Sequence, residues 1–154
     1  MMAANWIIRH ASPADLDAIL AIEQACADAP HWSRAVWLAA LSGERGRELV
    51  RASFVAEGNE EIFGFAVASR AGQTAELESV AVAPSARRRG IGKKLCQQVM
   101  DWSRSGASEL ELEVRVSSDG ALALYRSLGF VEQARRREYY RNPTEDAVLM
   151  AARL

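Results

Sequence analysis

The chain has little of what marks several large protein classes. It carries only two cysteines, Cys26 and Cys96, far apart and without a partner at metal-ligand spacing. A disulfide framework is therefore disfavoured, no His/Cys cluster offers a metal site, and both thiols are expected to be buried and reduced. No apolar run approaches the length needed to cross a bilayer, and Met1-Met2-Ala3-Ala4-Asn5 lacks the basic-then-apolar layout of a signal peptide. The expectation is a cytoplasmic protein with no membrane partner. Charge of one sign is missing as well: nineteen basic against twenty acidic side chains leave a formal net charge of -1. Direct nucleic-acid binding is not expected, and any anion site must be local. No repeat, low-complexity stretch or linker divides the chain.

What is present fits one globular domain over residues 1–154, with 49% hydrophobic and 25% charged residues. At this length folding removes about 68–70% of the unfolded surface, enough for a real core. Trp6 to Arg9 reads as a strand, and Ser12-Pro13-Ala14-Asp15 as a helix start leading into apolar positions at Leu16, Ile19, Leu20 and Ile22. That helix is expected to run to about Ala27 and to end at Asp28-Ala29-Pro30, with a second, short helix from Ser33 to Leu41.

From Leu49 the period changes to that of three antiparallel strands, Val50–Ala56, Ile62–Ala68 and Ala75–Val82, separated by Glu57-Gly58-Asn59 and Ala71-Gly72-Gln73. A helix over Ile91–Ser105, a strand over Glu109–Val116, a helix over Ser118–Leu128 and strands over Phe130–Arg137 and Ala147–Arg153 complete the order. This order predicts a mixed α/β (α+β) fold with a mostly antiparallel sheet of six to seven strands flanked by about four helices.

The sharpest local signal runs from Ser79 to Lys93, where a strand meets a basic, glycine-containing turn that opens a helix. Unpaired N–H groups at a helix start, together with the positive end of its dipole, bind phosphate. Gly90 and Gly92 allow a ligand close to the main chain, and Arg88, Arg89 and Lys93 add charge. A solvated turn that merely needs its glycines is the plainer alternative. The spacing is neither a dinucleotide fingerprint, which needs a third glycine, nor a P-loop, which needs Gly-Lys-Ser/Thr.

Arg87-Arg88-Arg89-Gly90-Ile91-Gly92 resembles the Arg/Gln-x-x-Gly-x-Gly/Ala signature of the GNAT superfamily of N-acetyltransferases, and the element order agrees over essentially the whole chain. The resemblance implies acetyl-CoA as cosubstrate and no metal. It places the pyrophosphate on Arg88, Arg89, Gly90, Ile91, Gly92 and Lys93, and the pantetheine arm on main-chain groups of Val80, Ala81 and Val82. It also implies a splay between the fourth and fifth strands that admits the thioester. Within the superfamily the chain looks like the ribosomal-protein alanine N-acetyltransferases, through Leu112-Glu113-Val114-Arg115-Val116-Ser117, Ala123-Leu124-Tyr125, Leu128-Gly129-Phe130 and Tyr139-Tyr140 with Glu145-Asp146-Ala147. That likeness implies Glu113 as general base and Tyr125 as general acid. It also implies a cofactor contact at Ser118, where relatives usually carry Asn and only a hydroxyl remains here. The bland alternatives are an exposed strand Glu113 paired with Arg115 and a core-packing Tyr125.

The implied acceptor is a protein N-terminal α-amino group, the N-terminal alanine of a small-subunit ribosomal protein, attacked directly in a ternary complex. At pH 7 an α-amino group costs about 1 kcal/mol to deprotonate, against about 4–5 kcal/mol for a lysine. Direct transfer of that proton to an ordinary glutamate is uphill by about 5 kcal/mol, so Glu113 is expected to be partly buried or to act through an ordered water. Departure of the thiolate by protonation from a phenol near pKa 10 is uphill by only about 2 kcal/mol. Trp32, in the loop between the first two helices, and Tyr139, after the arginine triplet 135–137, are expected to border the acceptor. A GNAT acting on a small amine or a lysine side chain, and a noncatalytic CoA-binding module, remain the alternatives.

Overall fold

The computed structural model describes residues 5–26, 29–42 and 49–154. Seven strands, β1 (Ile7–His10), β2 (Val50–Gly58), β3 (Glu61–Ala71), β4 (Thr74–Val82), β5 (Glu109–Arg115), β6 (Val131–Tyr140) and β7 (Glu145–Arg153), form one sheet in the order β1-β2-β3-β4-β5-β7-β6. All neighbouring pairs are antiparallel except β4 with β5, which run parallel. The expected fold is thus the observed one.

Helices α1 (Leu16–Ala25) and α2 (Arg34–Leu41) cover one sheet face, and α3 (Ile91–Arg104) and α4 (Asp119–Ser127) cover the other. Two apolar layers result. One joins α1 and α2 to Val55, Phe65, Val67 and Ala81, and the other joins α3 and α4 to alternate residues of β2 to β5 and β7. Alternation explains the division, because successive side chains of a strand point to opposite faces.

The helix starts follow the sequence with small shifts. Asp15 closes a capping box with Ser12, but the first turn, Pro13–Asp15, is a 3-10 turn, so α1 proper begins at Leu16. Ser33 caps α2 by accepting from the Val36 N–H at 3.2 Å. The expected end of the first helix at Ala27 and Asp28 lies outside the described residues. At the other end of the chain β6 continues through the arginine triplet to Tyr140, three residues beyond the expected limit. Both cysteines are free and buried, as expected. No helix among the described residues is long and apolar enough to cross a membrane.

Two local features shape the middle of the sheet. In the β3–β4 ladder Val67 pairs with Ser79 and Ala68 with Leu77, which leaves Glu78 as an extra residue on β4. Such a bulge bends a strand and sharpens its twist, and the parallel pairing of β4 with β5 stops at Glu76↔Glu111. The two strands part just where β4 bends. On the helix side, Gly64 of β3 lets α3 approach: a Cβ there would lie 2.8 Å from the Ala81 carbonyl oxygen and 3.2 Å from Leu95.

Gly64→Ala is therefore expected to cost about 1–3 kcal/mol, as overpacking does, read as a lower urea midpoint. A second outcome concerns Asp15, held by Arg9 at 2.8 Å through both carboxylate oxygens and nearly buried. The Arg9 guanidinium holds this carboxyl below the usual range against the effect of burial. Its stabilisation is thus present above pH ~3.9 and lost as pH falls through the depressed value. Asp15→Asn should lose about 1.5–3 kcal/mol at pH 7, and the gap to the parent should close in acid.

Candidate active site

Beyond β4 a 3-10 turn, Pro84–Ala86, leads into the basic turn. Arg88 (φ 67°) and Gly90 (φ 79°) take left-handed backbone, and Gly90 is the N-cap of α3 with no side chain capping the helix. The first helical bond runs from the Lys94 N–H to the Gly90 carbonyl. The N–H groups of Ile91, Gly92 and Lys93 have no acceptor among the described residues. Gly92 is not there for packing: a Cβ would meet Val82 at 3.6 Å and Leu124 at 3.7 Å, which is ordinary contact.

The arginines divide. Arg87, though exposed, brings its Nη2 to 3.6 Å from the Cys26 sulfur, while Arg89, also exposed, stands over the Phe63 ring at 5.6 Å. Arg88 is exposed, and Lys93 lines a groove of about 470 Å³ with Gln97, Met100, Arg104 and Leu128. Val80, Ala81 and Val82 pair with β3 on one side only, since β5 has departed on the other. Of their main-chain groups, the Val82 carbonyl is engaged by the Cys26 thiol, 3.5 Å away. Ser118 is buried at the N-cap of α4.

Glu113 and Tyr125 come from opposite faces of the sheet. On β5 Leu110, Leu112 and Val114 enter the α3/α4 core, so Glu109, Glu111 and Glu113 face the other way. The Glu113 side chain is 25% exposed; its ion-pair neighbour is Arg136, at 3.6 Å, while Arg115 pairs with Glu145 at 2.9 Å. Tyr125, on α4, is buried against Phe130 with ring centroids 5.7 Å apart. Burial, then the neighbouring Cys96 and Tyr140, push its phenol well above the usual range. It packs in the core and is a protonated hydroxyl throughout the physiological range.

Tyr139 stands beside Glu113, whose charge and hydrogen bonding raise the Tyr139 phenol. Tyr140, half-buried with the Arg115 guanidinium 4.5 Å above its ring, is pushed up to about 12 by burial and then by Glu113. Trp32 lies farther along the α1/α2 face. Its ring tilts against Trp37 at 4.8 Å, and Arg51 stands 5.9 Å above it. Arg51 in turn grips Glu78 through two bonds of 2.7 and 2.9 Å.

Sequence reasoning misses Glu76, Glu78, Glu111 and Arg136. A groove of about 250 Å³ gathers Glu76, Glu111, Glu113, Gln133 and Arg136 beside the opening. Burial, then the charges of Glu78, Glu113 and Glu111, raise the Glu76 carboxyl. Two charged residues at i and i+2 of a strand with neighbours on both sides are the available signal.

A mixed sheet that opens between two parallel strands, with a bare helix start behind the opening, is the architecture of an acyl-CoA-using transferase. The chain belongs to the acetyltransferase (GNAT) family, which it matches over residues 16–130. It is an acetyl-CoA-dependent N-acetyltransferase. Over 145 residues it is 37% identical to the [ribosomal protein bS18]-alanine N-acetyltransferase of Salmonella typhimurium, spanning 91% of this chain and 92% of that one. It is 42% identical over 93 residues to N-alpha-acetyltransferase RimI of Mycobacterium tuberculosis, 58% of each chain. The crystal structure of the ribosomal-protein-S18-alanine N-acetyltransferase from Escherichia coli superposes with a TM-score of 0.81 at 33% identity, covering 96% of this chain and 93% of that one.

Gly92→Ala tests whether this position tolerates a side chain, as the signature's Gly/Ala alternative implies. Folding stability should hold or rise by up to about 1 kcal/mol, and calorimetric affinity for coenzyme A should stay within about twofold.

Proposed function

We propose that this enzyme moves the acetyl group of acetyl-CoA to the α-amino group of a protein N-terminus, the N-terminal alanine of a small-subunit ribosomal protein, by direct attack in a ternary complex. The observation that carries this reading is Glu113, on β5 just past the last pair with β4, facing away from the α3/α4 core in which Tyr125 is buried. An acceptor entering from the Glu113 side and a thioester entering from the α3/α4 side meet in the gap between β4 and β5. The relatives' activity on the alanine of a ribosomal protein supports the choice of acceptor.

In this reading the amides of Ile91, Gly92 and Lys93, with Gly90 forming the turn and Arg88 and Arg89 adding charge, hold the diphosphate. The free edge of β4 at Val80, Ala81 and Val82 runs beside the pantetheine arm, and Ser118 contributes its hydroxyl. The thioester supplies an acyl carbon activated toward amines. Glu113 takes the proton of the incoming amine, and main-chain N–H groups at the parting stabilise the developing oxyanion.

Tyr125 gives its proton to the departing sulfur. Its raised phenol makes that transfer harder than an ordinary tyrosine's, but the same dry surroundings raise the thiolate's demand for a proton, so the match is kept. Tyr139, next to Glu113, and Trp32 border the acceptor.

Incubation of Ala-, Ser- and Lys-bearing peptides with acetyl-CoA, followed by mass spectrometry, tests the acceptor. The expected product is acetylated only at the α-amine, with alanine preferred; acetylation confined to lysine side chains or to a polyamine would sink this substrate. Glu113→Gln and Tyr125→Phe should each lower kcat by about 10²–10⁴-fold and leave coenzyme A binding in place.

A further inference from the structure

We propose that Glu23 is a positioning residue for the acceptor: its buried carboxyl sets the place of Trp32 and, through Arg51, ties that wall to the bulge at Glu78. The proposal rests on Trp32 bordering the acceptor amine, as in the proposed function. Glu23 sits in α1 and is 0% exposed, although its neighbours on that face, Leu16, Ile19 and Ile22, are apolar. Its Oε2 accepts from the Trp37 indole N–H at 2.9 Å and from the Trp32 main-chain N–H at 3.2 Å. Oε1 is buried with no hydrogen-bond partner among the described residues.

A half-satisfied carboxyl is an expensive way to fill a core position, and it is kept where it accepts from the buried Trp37 indole N–H, which an apolar side chain would leave unpaired. The same oxygen also fixes one loop residue. Trp32 is held by its amide to Glu23 and by its ring to Trp37, which Glu23 also holds. The path then continues over the other face of Trp32's surroundings: Arg51 lies 5.9 Å from the ring centroid and makes two bonds to Glu78. Glu78 is the extra residue that bends β4 away from β5. One buried group thereby links the α1–α2 loop to the strand whose bend opens the site.

Glu23 touches no reacting atom in this scheme. Its removal should loosen Trp32 and Arg51 while the basic turn and α3, which belong to other elements, keep their geometry. The signature is a split between the two substrates, which a merely structural defect would not produce.

The test compares the parent enzyme, Glu23→Gln, Glu23→Leu and Trp37→Phe in steady-state kinetics with an N-terminal-alanine peptide, alongside coenzyme A calorimetry and urea unfolding. Glu23→Leu, which removes the acceptor, is expected to raise the peptide KM by tenfold or more, Glu23→Gln, whose amide oxygen can still accept both N–H groups, to raise it less than about threefold, and both to leave the acetyl-CoA KM and coenzyme A affinity within about twofold. Trp37→Phe, which removes one donor but leaves the Trp32 main-chain bond and a ring against Trp32, should lower stability and raise the peptide KM less than about threefold. Equal changes in both KM values, an unchanged peptide KM in Glu23→Leu, or a peptide KM raised as much by Trp37→Phe as by Glu23→Leu would overturn the proposal. Should the parent acetylate no α-amine, the acceptor reading fails by itself, and the same comparison with the amine it does acetylate still decides the role of Glu23.

Discussion

The parting of β4 from β5 is the constraint on which the site depends. Two parallel strands in the middle of a seven-stranded sheet share only three registered positions, Thr74 to Glu76 with Glu109 to Glu111. Beyond them each strand keeps one ladder, β4 with β3 and β5 with β7, and turns a bare edge to the gap. Unpaired main-chain groups inside a protein demand partners, so a sheet opened at its centre is stable only where water or a ligand can reach it. The bulge at Glu78 supplies the bend, and Gly64 allows α3 to settle close behind the opening. The helix start at Gly90 is thereby carried to the end of β4.

The two faces of that opening differ in charge. Behind it lie Arg88, Arg89 and Lys93 at a helix N-terminus, whose dipole adds to their positive field. In front lie Glu76, Glu111 and Glu113 around one groove, with Glu78 nearby and already paired to Arg51. Burial, and then crowding among these carboxyls, raises Glu76, so a positive charge arriving in the groove would relieve repulsion that already exists. Such a polarity suits an anionic donor on one side and an amine on the other, and it comes from alternation along two strands. The residues of β5 that are not leucine or valine in this stretch are all glutamate up to Arg115.

Most of this architecture is legible in the sequence. Period changes mark all seven strands and four helices, because amphipathic helices and half-buried strands write their burial into the sequence. The basic turn is legible for a chemical reason: Gly90 must take φ 79°, and its neighbours carry charge that a core never needs. Glu113 and Tyr125 emerge only through likeness to a family, since nothing local separates a catalytic glutamate from a solvent-facing one. What stays hidden depends on register. Nothing in Glu76-Leu77-Glu78 says that Glu78 is an extra residue in a ladder with β3, and no pattern pairs Arg51 with it across 27 positions. Buried Glu23 passes for part of a helical face, because its partners, Trp32 and Trp37, lie beyond the end of α1.

The chemistry of the thiols bears on the route of transfer. A covalent acetyl-cysteine path needs a thiolate at the gap, and Cys96 is the residue of α3 that electrostatics couples to Tyr125. Burial pushes the Cys96 thiol up to about 12, so the thiolate that such a path needs is suppressed at neutral pH. Cys26 is turned to other use, joining the end of α1 to the Val82 carbonyl and the Arg87 guanidinium. With one thiol suppressed by its surroundings and the other employed in holding β4 to α1, the thiols' surroundings favour the direct attack proposed above. In that proposal the protein's part is to hold two substrates on either side of an opened sheet, with a carboxyl in front and a phenol behind.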